Sequence, residues 1–173
     1  MKKLPVIACV LFVFSVSACK EKENTAMVPG NHEGWNRTTV VELDYPIPGH
    51  ESHYRRTYIN SIGENFTVSL EDGKTVHEYP AGTIIIKDIY PGLVFENGDQ
   101  PVMQTVMIKD PEHPHNRGGW VWIIKNLETG TETVMDDLFC LSCHSNANEQ
   151  HPYGDKNTRE EFRDYVFFPP ERQ

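Results

Sequence analysis

The sequence is poor in positive charge: 16 lysines and arginines stand against 25 aspartates and glutamates, a net charge of −9 over 173 residues. Such a balance gives no electrostatic pull toward nucleic acid or anionic lipid surfaces. A long apolar run is also lacking. The one apolar stretch, Leu4 to Val16, falls short of the roughly 20 residues a spanning helix needs. Cysteine is scarce, with four in the chain, and no second C-x-x-C pair exists to complete a four-sulfur zinc site. Methionine is absent from the 29 residues that follow His144.

At the N-terminus, Met1-Lys2-Lys3 precedes the apolar stretch and Val16-Ser17-Ala18 closes it with small residues. This is the pattern of a secretory signal peptide, residues 1–18. Val-Ser-Ala-Cys also resembles a bacterial lipoprotein signal, in which cleavage leaves a lipid-modified Cys19 as the new N-terminus; ordinary cleavage near Ala18 would leave Cys19 a free thiol. Lys20 stands where an aspartate would retain such a protein in the inner membrane, so the expected address is the outer membrane, facing the periplasm. Loss of residues 1–18 removes Lys2 and Lys3 and leaves 155 residues with a net charge of −11, enough for one domain with a real core. Residues 19–37 are polar, contain Pro29-Gly30-Asn31 and read as a lipidated N-terminus with a flexible tether. The domain is expected over 38–173.

Cys140-Leu-Ser-Cys143-His144 is the C-x-x-C-H pattern of covalent haem attachment. Two thiols on one short turn add across the two porphyrin vinyl groups, and the adjacent histidine offers Nε2 to the iron. A redox dithiol and half of a zinc site are the other readings of the pair. With one haem c per chain, all four cysteines have assignments: Cys9 leaves with the signal, Cys19 takes lipid, and Cys140 and Cys143 take haem. No structural disulfide is expected, although an exported protein would permit one.

Small electron-transfer cytochromes carry this motif near the N-terminus and a methionine ligand downstream; here the order is reversed. A second axial ligand would come from Met103, Met107 or Met135, or from His50, His53, His77, His113, His115 or His151. The two strand methionines read as core filling and the histidines as surface residues.

Elsewhere the apolar signal is strand-like. Arg55 to Ile59, Thr83 to Tyr90, Val102 to Lys109 and Trp120 to Lys125 are rich in Val, Ile, Thr and aromatics. Phe66 to Leu70 and Thr75 to Tyr79 flank Glu71-Asp72-Gly73-Lys74, a hairpin turn signal. Thr158 with Glu161 forms a capping-box pattern that predicts a helix over Arg159 to Phe167, and a second short helix is expected to carry Cys140–His144. The fold class is α+β, predominantly antiparallel β-sheet with a few helices.

In order along the chain, Arg56-Thr-Tyr58-Ile, Tyr79-Pro-Ala-Gly-Thr-Ile-Ile-Ile-Lys87, Met107-Ile-Lys-Asp110, Gly118-Gly-Trp120-Val-Trp122, the late C-x-x-C-H and Asp164-Tyr-Val-Phe167 resemble the cytochrome P-460 family, which includes the cytochromes c′-beta. The resemblance implies a dimeric β-rich fold with haem between sheet and helix. It implies His144 as the axial iron ligand and an open opposite side for a small nitrogen species or diatomic gas. In hydroxylamine-oxidising members a lysine is cross-linked to the porphyrin, and Lys87 matches that position. Alternation places Thr83, Ile85, Lys87 and Ile89 on one face, so the lysine either enters a pocket or snorkels from an edge.

Arg55 resembles a distal-pocket arginine, with Arg56 one residue away as the other choice. Thr105 stands where catalytic members have a carboxylate, and a threonine is no general base near neutral pH. Between Ile59 and Tyr79 the family's Ala-rich helix is replaced by Gly63, β-branched residues and the Asp-Gly turn. The expected function is oxidation of a small nitrogen compound such as hydroxylamine, or binding of nitric oxide, with a partner cytochrome for electrons. A simple electron-transfer cytochrome and a non-catalytic gas-binding or sensor module are the alternatives. Whether the protein turns over a substrate is left open by the sequence.

Overall fold

A computed structural model of the chain describes residues 27–38, 43, 47 and 52–170. The signal segment, Cys19, the first part of the tether and His50 lie outside the described residues. No helix among the described residues is long and apolar enough to cross a membrane.

The β-branched and aromatic runs form strands β1 (Asn36–Arg37), β2 (His53–Ile59), β3 (Thr67–Glu71), β4 (Lys74–Glu78), β5 (Ile84–Pro91), β6 (Met103–Lys109), β7 (Trp120–Asn126) and β8 (Glu132–Val134). Six of them make one antiparallel sheet in the order β1-β2-β5-β6-β7-β8, and β3 pairs with β4 in a separate hairpin. Its Asp72-Gly73 turn has φ of 48° and 81°, the two left-handed residues that a two-residue hairpin favours. One helix, α1 (Phe139–His144), carries the two cysteines and the histidine.

Register sets the two faces of the sheet. Thr57, Lys87, Thr105 and Ile124 lie side by side across β2, β5, β6 and β7, and Ile59, Ile85, Met107 and Trp122 form the next row on that face. The second row packs with Phe66, Tyr79, Trp120 and Val166 into one core, against which Cys140 and Leu141 of α1 rest. The other face carries Ile86, Val106, Val121 and Ile123, covered by Val28 with Met27 and Trp35. Between these apolar groups His32 Nε2 lies 2.9 Å from the Asp88 carboxylate, which also accepts from Gln104 Nε2 at 2.9 Å.

Two expectations change. Residues 27–37 are not a free tether: Val28 and His32 are buried, and the Met27 and Val28 amides donate to Glu132. Polar composition hid a segment whose partners lie on distant strands. The helix over Arg159–Phe167 does not form either. Phe162 makes a bridge to Val76 on β4, donating to the Thr75 carbonyl and accepting from His77 N–H. Glu161, the capping-box carboxylate, instead binds Arg163 and faces His77. Buried Asn157 holds the backbone through Ala147 O, Glu161 O and Glu161 N–H. Long-range partners outcompete the local cap.

If residues 27–35 belong to the folded unit, Val28→Ala loses about 1.5 kcal/mol by removing two buried carbons. A denaturant midpoint unchanged from the parent protein would show the segment to be dispensable.

Candidate functional site

The row Thr57–Lys87–Thr105 forms the floor of a cavity of about 390 Å³, within the roughly 300–1,000 Å³ typical of small-molecule sites. Arg55, Met103, Met107 and Trp122 extend the sheet wall, and Cys140, Cys143, His144, Val166 and Phe167 form the opposite side. Residues distant in sequence meet there because antiparallel pairing puts Lys87 opposite Thr105, while α1 crosses the same face.

His144 is fixed in this wall. Its Nδ1 lies 2.9 Å from the Tyr165 carbonyl; a carbonyl only accepts, so Nδ1 carries the hydrogen and Nε2 keeps its lone pair. The ring sits between Trp122 and Phe167, with centroids 4.8 and 5.2 Å away. Burial, and then the charge of Lys87, push its pKa down to about 3 against the pull of the carbonyl. It is therefore a neutral donor of the kind a metal takes. Burial raises both Cys140 and Cys143 thiols, opposite to the depressed thiol of a redox dithiol. Among the described residues no group of three or more His, Cys, Asp or Glu is arranged to hold a bare metal ion. A neutral imidazole, two thiols on the same turn and a largely apolar cavity facing them fit a covalently held porphyrin.

Across the cavity, Lys87 has no carboxylate partner among the described residues. Burial and then Arg55 lower its amine to about 8, while the two cysteines act in the other direction. Arg55 is fully buried and donates Nε to the Leu43 carbonyl at 3.2 Å. Arg56 lies on the opposite face, its guanidinium 3.7 Å from the Phe95 ring centre, so Arg55 is the arginine that lines the cavity. Thr105 joins Lys87 there. No aspartate or glutamate is among the described lining residues, and His144 is the single histidine among them. The hairpin β3–β4 contributes nothing to the described lining.

His151, expected at the surface, is buried. It accepts from Tyr153 N–H at 3.0 Å and packs edge-on against Phe167 at 5.1 Å, thereby bracing a ring that holds His144. The group satisfying His144 Nδ1 also escaped sequence reading, because it is a backbone carbonyl 21 positions away. Asp164 and Tyr165, with φ of 48° and 68°, are both left-handed, at a cost of roughly 1–2 kcal/mol each. The Asp164 carboxylate accepts from Lys109 Nζ at 2.7 and 2.9 Å and from Trp120 Nε1 at 3.2 Å. Gly118, at φ +67°, passes so close that a Cβ would stand 2.9 Å from the Tyr165 ring and 3.0 Å from Leu141. The one sequence signal for this arrangement is that Lys109, Gly118, Trp120 and Asp164 all fall in the segments that carry the family resemblance.

A sheet face closed by a short C-x-x-C-H helix, with a neutral histidine braced behind it, has the donors and the space to receive a haem. The Cytochrome P460 family profile matches residues 29–168, and the chain belongs to that family. Membership makes it a haem-binding type of protein with haem-based redox chemistry. The match begins at Pro29, inside the segment that sequence composition assigned to a tether. No curated protein matches the chain.

With a pKa of about 8, the Lys87 amine of haem-free protein is about half neutral at pH 8, against about 0.3% for an ordinary lysine. Its native pKa lies below the unfolded value, so the charged form disfavours folding at low pH. Stability then rises with pH between about 8 and 10.5, where the unfolded chain holds a proton that the native chain has released. NMR of the lysine ε-carbons should give Lys87 a midpoint near 8, and Lys87→Met should abolish that rise; a midpoint above 10 would contradict the burial argument.

Proposed function

We propose that the chain is a c-type haem protein, with one haem joined to Cys140 and Cys143, His144 as its protein ligand, and a small nitrogen species taken on the side of Lys87, Thr105 and Arg55. The carrying observation is the cavity that brings all six of these residues together, with His144 Nδ1 engaged and Nε2 left for a metal. Each cysteine S–H adds across a vinyl group, forming a carbon–sulfur bond while the hydrogen goes to the neighbouring carbon. When bound, haem would supply a redox-active iron able to take a small molecule.

The chain's own groups select what enters. Arg55, Thr105 and protonated Lys87 present hydrogen-bond donors in a largely apolar, half-enclosed space, suited to a small dipolar species such as nitric oxide. No carboxylate is among the described lining residues to take a substrate proton, which supports binding over full oxidation. A specific observation keeps the second reading, hydroxylamine oxidation, in play. An amine with a pKa near 8 is a nucleophile and proton acceptor close to neutral pH, as a lysine joined to the porphyrin requires. Beyond the site, we propose lipid attachment at Cys19, an outer-membrane position facing the periplasm, a homodimer, and an acidic surface that steers a basic partner cytochrome.

Haem should stay with periplasmically matured protein in acidified organic solvent, and Cys140→Ser with Cys143→Ser should release it; extraction from the parent protein would rule out covalent attachment. Ferrous protein should change its spectrum on adding nitric oxide or carbon monoxide. No change with either gas would mean that a side chain such as Met103 or Met107 closes the second axial position, as in an electron carrier. A tryptic peptide containing Lys87 joined through haem to the Cys140–His144 peptide would establish the cross-link that the oxidase reading requires, and separate peptides would rule that reading out and leave gas binding.

A further inference from the structure

The turn that orients His144 is anchored on the cavity's own face of the sheet, one residue pair beyond Met107 and Trp122, and its anchors are polar groups that take no part in lining the cavity. Asp164 projects away from the cavity toward two donors, Lys109 Nζ from β6 and Trp120 Nε1 from β7. From the other side, Asn148 Oδ1 accepts the N–H of Arg163 at 2.7 Å and that of Tyr165 at 3.4 Å. Two consecutive left-handed residues are thus clamped on either side, and the Tyr165 carbonyl is aimed at His144 Nδ1. Relaxed backbone at Asp164 and Tyr165 would turn that carbonyl elsewhere.

We infer that Asp164, with Asn148, is a positioning residue that sets the electron donation of His144 toward the haem iron. A firmly held carbonyl acceptor on Nδ1–H gives the imidazole partial anionic character and makes Nε2 a stronger donor. A stronger donor stabilises the oxidised iron. Lys109 and Trp120 therefore act at one remove: they fix Asp164, which fixes Tyr165, which polarises His144. This rests on the haem assignment proposed above.

The test uses the matured protein and two independent variants, Asp164→Asn and Asn148→Ala, with Ile86→Val on the opposite sheet face as a control for stability alone. Asp164→Asn leaves Lys109 unpaired and slackens the turn; Asn148→Ala frees two amides of the same turn without touching the ion pair. The expected result in both is a lower iron–histidine stretching frequency in the resonance Raman spectrum of the five-coordinate ferrous form. The reduced-to-oxidised ratio at fixed ambient potential should rise about tenfold, equivalent to about 59 mV for one electron, with Ile86→Val unchanged in both. A folded, haem-bearing Asp164→Asn with parental frequency and potential would overturn the inference, as would an equal shift in Ile86→Val. Should Asp164→Asn fail to accumulate, Asn148→Ala decides by the same criteria. Failure of the parent protein to give a haem spectrum would instead refute the haem assignment, so the two failures are told apart before any variant is compared.

Discussion

The hydrogen bond from His144 Nδ1 to the Tyr165 carbonyl is the constraint to which the rest of the site answers. It joins helix α1 to the C-terminal segment and fixes which nitrogen of the ring is left to bind a metal. It also requires a backbone conformation that non-glycine residues adopt reluctantly, at Asp164 and Tyr165 in succession. The fold supplies what that conformation lacks: an ion pair to Lys109, the Trp120 indole, the Asn148 side chain and a glycine at 118 that lets the Tyr165 ring approach. Buried Arg163, bound to Asp155, Glu161 and the Phe167 carbonyl, anchors the same segment one residue earlier.

The sheet divides its polar groups between two faces for different ends. On one, His32, Asp88 and Gln104 satisfy one another beneath the N-terminal segment. There the polarity is structural. On the other, Lys87 is buried beside the cavity, and burial first and then the charge of Arg55 lower its affinity for its proton. A buried lysine beside a cavity is costly to stability and is retained most readily where function uses it.

Much of this architecture was legible in the sequence. β-branched and aromatic runs mark four strands and the two of the Asp-Gly hairpin to within a residue or two, since those signals are local. Alternation placed Lys87 with Ile85 and Ile89, and the C-x-x-C-H helix formed where expected. What escaped depended on distant partners. Glu161 was read as a cap for a helix that Asn157, Arg163 and the edge of β4 prevent. Val28 and His32 were read as tether because only the folded sheet reveals the apolar face and the buried carboxylate that receive them. The short strands β1 and β8 carry too few residues to signal themselves. The Tyr165 carbonyl belongs to the backbone, which no side-chain pattern reports.

Whether a haem lies between α1 and the sheet row of Lys87 and Thr105, bound through His144, is measured most directly by anomalous diffraction at the iron absorption edge from crystals of matured protein. The expected result is one iron per chain, bonded to His144 Nε2 and lying inside the cavity on the Lys87 side of the helix. Iron bound by another residue, or located outside that cavity, would contradict it.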